Sequence, residues 1–285
     1  MNEPLTARFS RSLHDRRLSP RTIQAYLCDL HAFVTWFETL NQEPFSAAAI
    51  VRRDLMDWRD HLRRSCSPAT LNRRLSSLRA FYHWAQREGL ASTDPSSGVP
   101  SVKVPATHKV VSASEIQALL ASARRSGNLR DHALLALLVD TGLRPAEIAP
   151  LTRAALQLDP GHAWLTVPAG RGLEPRRLPL EARARAAVRA CLAEAGDIQP
   201  DEPLFSSPGG KAVSPFVVWY TVRKVAGEAG IKGMTPTRLR DFAARRMIAD
   251  PQVGLVEAGA RLGKARLESL VKYLGNTSPL NPRTG

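Results

Sequence analysis

HALLALLVDTGLRPAEIAPL, residues 132–151, places an arginine at the joint of two apolar segments. The run from Ala133 to Val139 reads as a buried helix. The chain then turns on Thr141-Gly142, and Pro145 suits the first position of a new helix. Arg144 sits between them. An arginine in such a place either pairs with a carboxylate of the core or is held out for an anion.

The rest of the composition bears on that choice. The chain has 285 residues, enough for about two domains at roughly 150 residues each. Hydrophobic residues make up 44%, which argues against global disorder. The formal net charge of +14 favours a polyanionic partner, either nucleic acid or an anionic membrane surface. No apolar stretch approaches the roughly 20 residues of a membrane span, and the first ten residues lack the apolar core of a signal peptide. The expected class is a cytoplasmic nucleic-acid protein without a membrane anchor. The three cysteines are far apart and lack metal-ligand spacing, so no structural metal and no cofactor are expected. Cys28 and Cys191 fall in helical patterns and are expected in the core.

Residues 1–96 read as a helical, DNA-binding unit. One helix is expected over residues 4–16. Ser19-Pro20 opens a second, with Ile23, Tyr26, Leu27, Leu30, Phe33, Val34 and Phe37 at helical spacing. Ser67-Pro68 opens another in the same way, and a further helix lies between the two. Arg73, Arg74 and Arg79 occupy the polar face of the helix after Pro68 and are candidate DNA contacts. Residues 97–111, with no helical periodicity, are expected to be an interdomain linker. The second domain, 112–285, opens on a capping box, Ser112 with Glu115. Three short strands follow the 132–151 stretch, and the remainder is mainly helical. The fold class is therefore mainly α with a small antiparallel sheet in the second domain.

TPTRLRDFAARRM, residues 235–247, adds a second arginine near a helix start. Thr235 is the expected N-cap and Pro236 the first helical residue. Thr237 and Arg240 lie three apart on one face. A hydroxyl and a guanidinium at a helix N-terminus suit a phosphate. Pairing of Arg240 with Asp241 or Glu147 is the competing account. Further on, LGKARLESLVKYL breaks at Gly263 and carries a lone late tyrosine, Tyr273.

The order of Arg144, a hairpin, Arg240, a glycine break and Tyr273 resembles the tyrosine recombinase, or phage integrase, family, most closely its Xer-type members. The resemblance covers nearly the whole chain. It implies that Arg144 and Arg240 bind the non-bridging oxygens of a scissile DNA phosphate, with Glu147 a turn later as a partner of Arg144. It implies that Tyr273 attacks the phosphorus to give a 3′-phosphotyrosine and a free 5′-hydroxyl, with no metal. Double-stranded DNA is the implied partner, and self-association on DNA or a partner recombinase is implied as well.

The sequence departs from the family at four places. Where the family's hairpin offers lysine, this chain has Arg171. Its usual histidine before the second arginine is Thr237, the histidine often found after that arginine is Asp241, and the one after the glycine is Lys264. Arginine stabilises charge but is a poor proton donor. Two readings stay open: an active recombinase in which Lys264 or water donates the proton, and a DNA-binding homologue that has lost cleavage.

Overall fold

Both Ser-Pro pairs start helices. Ser19 Oγ accepts the Thr22 N–H at 3.0 Å, and Ser67 Oγ accepts that of Thr70 at 3.3 Å. The proline that follows each has no N–H to leave unsatisfied. The computed structural model describes residues 4–103, 110–170, 174–196 and 199–263. The chain divides into two units, Met1–Thr107 and His108–Gly285.

The first unit contains α1 (Leu5–Asp15), α2 (Pro20–Asn41), α3 (Arg52–Ser65) and α4 (Pro68–Arg87). Phe9, Phe33, Phe81 and Tyr82 are fully buried at its centre, and Phe9 meets Phe81 edge-on at 5.3 Å. Each such ring contributes roughly 1.5–3 kcal/mol by leaving water. The Tyr82 hydroxyl has no hydrogen-bond partner among the described residues, and burial pushes its phenol up, with Asp54 and Asp94 adding to the shift. Asp29 is a buried carboxylate that ties α2 to α4. It accepts two bonds from Arg73, one of them at 3.0 Å, and one from Ser77 Oγ at 2.7 Å; Arg74 stands 3.7 Å away.

Two expectations need correcting here. Cys28 is exposed, whereas Cys191 is buried. Cys28 lies five residues after Ile23, about 140° around the helix and off the apolar face. Residues 97–102, expected in the linker, pack onto the first unit. Val99 is buried, Arg79 Nη2 donates to its carbonyl at 2.7 Å, and the Asn72 side chain exchanges two 2.8 Å bonds with the Val102 backbone. Side chains of α4 thus satisfy a backbone that has no periodicity of its own.

The second unit contains α5 (Ala113–Arg125), α6 (Leu129–Thr141), α7 (Pro145–Ile148), a 3₁₀ turn (Arg153–Ala155), β1 (Leu156–Leu158), β2 (Ala163–Val167), β3 (Arg176–Pro179), α8 (Ala182–Ala195), α9 (Pro215–Glu228), α10 (Pro236–Ala249) and α11 (Gly254–Arg261). The capping box at Ser112 and Glu115 forms. The strands make an antiparallel sheet in the order β1-β2-β3, with Leu165 opposite Leu156 on one side and Leu178 on the other. Helix α6 is buried from Ala133 to Thr141 and packs against α5, α8, α9 and α10. A helix enclosed on every side is apolar all round, which is what the run at 133–139 encodes.

Candidate active site

The end of α6 fixes the start of the site. Gly142 caps the helix at φ 64°, where a side chain is disfavoured. A Cβ here would also stand 3.0 Å from both Ala243 Cβ and Leu262 Cδ2. Behind the turn, Asp140 accepts the Glu181 N–H and an Arg246 N–H, each at 2.9 Å. Burial pushes the Asp140 carboxyl up, and Arg246 acts against that shift. The last turn of α6 is thereby tied to α8 and α10.

After the turn, Leu143 enters the core and Arg144 is extended. The Arg144 N–H donates to Glu147 Oε2 at 2.7 Å, so the third residue of α7 caps its own helix start. This seats the Glu147 carboxylate, mostly buried, under the joint. Three guanidiniums then converge on it. Arg176 Nη2 donates to Oε1 at 2.7 Å, Arg144 Nη1 reaches Oε1 at 3.5 Å, and Arg240 Nη1 lies 3.7 Å from Oε2. Three cations around one anion leave the place net positive.

The three arginines differ in what else they hold. Arg240, buried on α10, donates Nη1 to the Gly142 carbonyl at 2.6 Å and Nη2 to the Leu262 carbonyl. Arg176, on β3, donates Nε to the Arg261 carbonyl at 2.8 Å. Both therefore secure the end of α11. The Arg144 side chain is 42% exposed, against 10% for each of the other two, and is the most open of the three to a ligand. The arginine at the joint thus serves both purposes that the sequence allowed, a core carboxylate on one side and an open cation on the other.

Of the remaining sequence candidates, Thr237 is exposed in the first turn of α10, whose N-cap Thr235 accepts the Arg238 N–H at 3.3 Å. Asp241 is half-buried one residue beyond Arg240. Arg171, Lys264 and Tyr273 lie outside the described residues. Arg73, Arg74 and Arg79 belong to the first unit, where they brace Asp29 and the Val99 carbonyl as described above.

Sequence reasoning passed over Arg176. Its signal was strand parity: Arg176 alternates in phase with Leu178 and Leu180, so it points to the buried face of the sheet while Arg177 lies over Trp164, 4.6 Å from the ring centroid. It also passed over an aromatic face on α9. Phe216, Trp219 and Tyr220 are exposed there, with Arg223 5.7 Å from the Trp219 ring, while Val218, Val222 and Val225 take the buried side. The spacing 216, 219, 220, 223 marks one helix face.

Comparison with known proteins bears on both units. The profile of the phage integrase family matches residues 109–278, and that of the phage integrase N-terminal SAM-like domain matches residues 7–89. The tyrosine recombinase XerC of Xanthomonas campestris pv. campestris is 30% identical over 237 residues, covering 82% of this chain and 72% of its own. The tyrosine recombinase XerD of Listeria monocytogenes is 30% identical over 244 residues, covering 82% and 81%. Among solved structures, a lambda integrase dimer bound to a COC′ core site aligns with a TM-score of 0.76 at 16% identity, over 99% of this chain and 96% of that one. XerH bound to a palindromic difH substrate, in a post-cleavage complex, aligns with a TM-score of 0.73 at 18% identity, over 93% and 81%. These two likenesses concern the fold.

Proposed function

The chain belongs to the phage integrase family of tyrosine recombinases, and from that premise we propose that it is a site-specific recombinase that cuts and rejoins double-stranded DNA. The observation that carries this reading is the convergence of Arg144, Arg176 and Arg240 on Glu147, with Arg144 open to solvent. A net cation cluster at two helix starts is built to hold a phosphate.

In this reading Arg144 and Arg240 hold the non-bridging oxygens of the scissile phosphate. Charge on those oxygens grows as the nucleophile adds, so fixed guanidiniums stabilise the transition state more than the ground state. The Tyr273 oxygen forms the new bond to phosphorus as its phenolic proton passes to water. The bond from phosphorus to the 5′-oxygen breaks, and that oxygen takes up a proton from Lys264 or from water. The phosphotyrosine keeps the phosphodiester energy, so a second strand can be joined without a nucleotide cofactor. Arg171 and the Thr237 hydroxyl add donors to the phosphate. Recombination needs two sites together, so the chain acts as a dimer or tetramer of itself or with a partner recombinase. It works in the cytoplasm, on the nucleoid.

The first unit, residues 1–96, serves as the helical core-binding domain, with Arg73, Arg74 and Arg79 facing the backbone of the duplex and residues 112–285 as the catalytic domain. The positive charge is assigned to DNA because the chain belongs to the integrase family. The exposed aromatic face of α9 with Arg223 is a further DNA contact.

The test is a duplex selected by the chain from a random-sequence pool and nicked near its centre. The wild-type chain should leave a covalent protein–DNA adduct, and Tyr273→Phe should abolish it with binding intact. Arg171→Lys should preserve or raise the rate. If wild type and Arg171→Lys both fail to form adduct, the chain is a DNA-binding homologue without cleavage.

A further inference from the structure

We propose that Arg176 is a positioning residue whose task is to neutralise Glu147, leaving the exposed Arg144 to the phosphate. The inference rests on the recombinase reading for its outcome on cleavage, and on geometry for the rest.

Distances decide which arginine Glu147 belongs to. Arg176 Nη2 makes a short charge-assisted bond to Oε1 at 2.7 Å, whereas the side chains of Arg144 and Arg240 stand at 3.5 and 3.7 Å. Glu147 is needed where it is, because its other oxygen caps the Arg144 N–H and fixes the joint. That requirement brings an anion to a place meant for an anionic ligand. A carboxylate without Arg176 has two outcomes. It draws Arg144 or Arg240 into a closer pair, or it remains a buried, under-neutralised anion that repels the phosphate.

Arg176 is seated for this role by three independent features. Its Nε is bonded to the Arg261 carbonyl at 2.8 Å, which fixes the plane of the guanidinium. Its side chain is 10% exposed, so the pair with Glu147 is little screened. Gly263, at φ 58°, leaves the space it fills: a Cβ there would stand 3.0 Å from Arg176 Cζ and Nη1. The Nη1 atom is buried without a hydrogen-bond partner among the described residues.

The experiment is a double-mutant cycle on the full chain with Arg176→Ala, Glu147→Gln and both together, with folding checked by circular dichroism. Two quantities are read on the same selected, nicked duplex: the rate of adduct formation and the affinity. Arg176→Ala should slow adduct formation roughly a hundredfold, the size of one lost electrostatic contact, and weaken binding about tenfold. Adding Glu147→Gln removes the unneutralised carboxylate and restores the wild-type net charge. The double variant should then regain at least about tenfold in rate and bind as wild type does, within about twofold. A double variant no better than Arg176→Ala in both readouts would mean that Arg176 acts only as a strut, and the proposal is overturned. If the wild type forms no adduct, the recombinase reading fails, and the affinity cycle alone decides: recovery supports the neutralising role and additive loss refutes it. Where Arg176→Ala does not fold, Arg176→Gln replaces it with the same expected pattern.

Discussion

Substituting Gly142 by alanine puts two separable costs on one position. The left-handed backbone, φ 64°, costs an L-residue about 1 kcal/mol. The new methyl would also stand 3.0 Å from Ala243 Cβ on α10 and from Leu262 Cδ2 at the end of α11. Overpacking of this kind costs about 1–3 kcal/mol, because a helix or a buried leucine must move. The sum is about 2–4 kcal/mol. Gly127 isolates the first cost: its φ is 72°, and a Cβ there would meet nothing within 4 Å. Gly127→Ala should therefore lose only about 1 kcal/mol. At roughly 2–4 °C per kcal/mol for a unit of this size, the second unit's Tm should fall by about 10 °C in Gly142→Ala and about 3 °C in Gly127→Ala. Scanning calorimetry on the full chain measures both. Equal shifts would refute the argument, since they would mean that the crowding at Gly142 is absorbed without cost. Because Arg240 donates to the Gly142 carbonyl, the larger loss should come with slower adduct formation, and Gly127→Ala should leave the rate unchanged.

Tyr82→Phe removes a buried hydroxyl that has no partner among the described residues, so urea unfolding should find the variant as stable as wild type or up to about 1 kcal/mol more stable; a loss would reveal a bond to that hydroxyl. Arg73→Ala leaves Asp29 buried with Ser77 and the more distant Arg74, and should cost about 2 kcal/mol in the same assay, whatever its effect on DNA. Burial, aided by Arg124, holds His132 below the ordinary imidazole value. The unfolded chain then takes up that proton first, so stability is full above about pH 6.5 and falls as pH drops through that value. His132→Gln should flatten this part of the profile in unfolding measured between about pH 7.5 and 5.5; an unchanged profile would rule His132 out. For the DNA contacts of the first unit, Arg79→Ala should lower the log-log salt slope of binding by about 0.9 if Arg79 neutralises one phosphate.

What could be read from the sequence was what is written locally. Ser19-Pro20, Ser67-Pro68 and the Ser112–Glu115 box name their helix starts within four residues. The short strands are marked by the turns beside them. Glu147 was legible as a partner of Arg144 because it is three residues away. Arg240 was legible as an arginine near a helix start, but not as a buried clasp on Gly142 and Leu262, which the fold brings from 98 and 22 residues away. Arg176 was harder to read because its place on the buried face of the sheet shows only through its alternation with Leu178 and Leu180, a pattern that ordinarily marks apolar residues. The packing of 97–102 was missed because Asn72, Arg79 and Arg52 satisfy that backbone from positions that no periodicity connects to it.

The carbonyls of Arg261 and Leu262 are taken by guanidiniums from β3 and α10. Among the described residues, every group shown bonded to Glu147 or to its three arginines lies between Gly142 and Leu262. The chain therefore has a natural splice point. A junction at Gly263 leaves the three arginines and Glu147 on one side and Lys264 and Tyr273 on the other. On the recombinase reading proposed above, a chain ended at residue 263 should keep its affinity for DNA and form no covalent adduct.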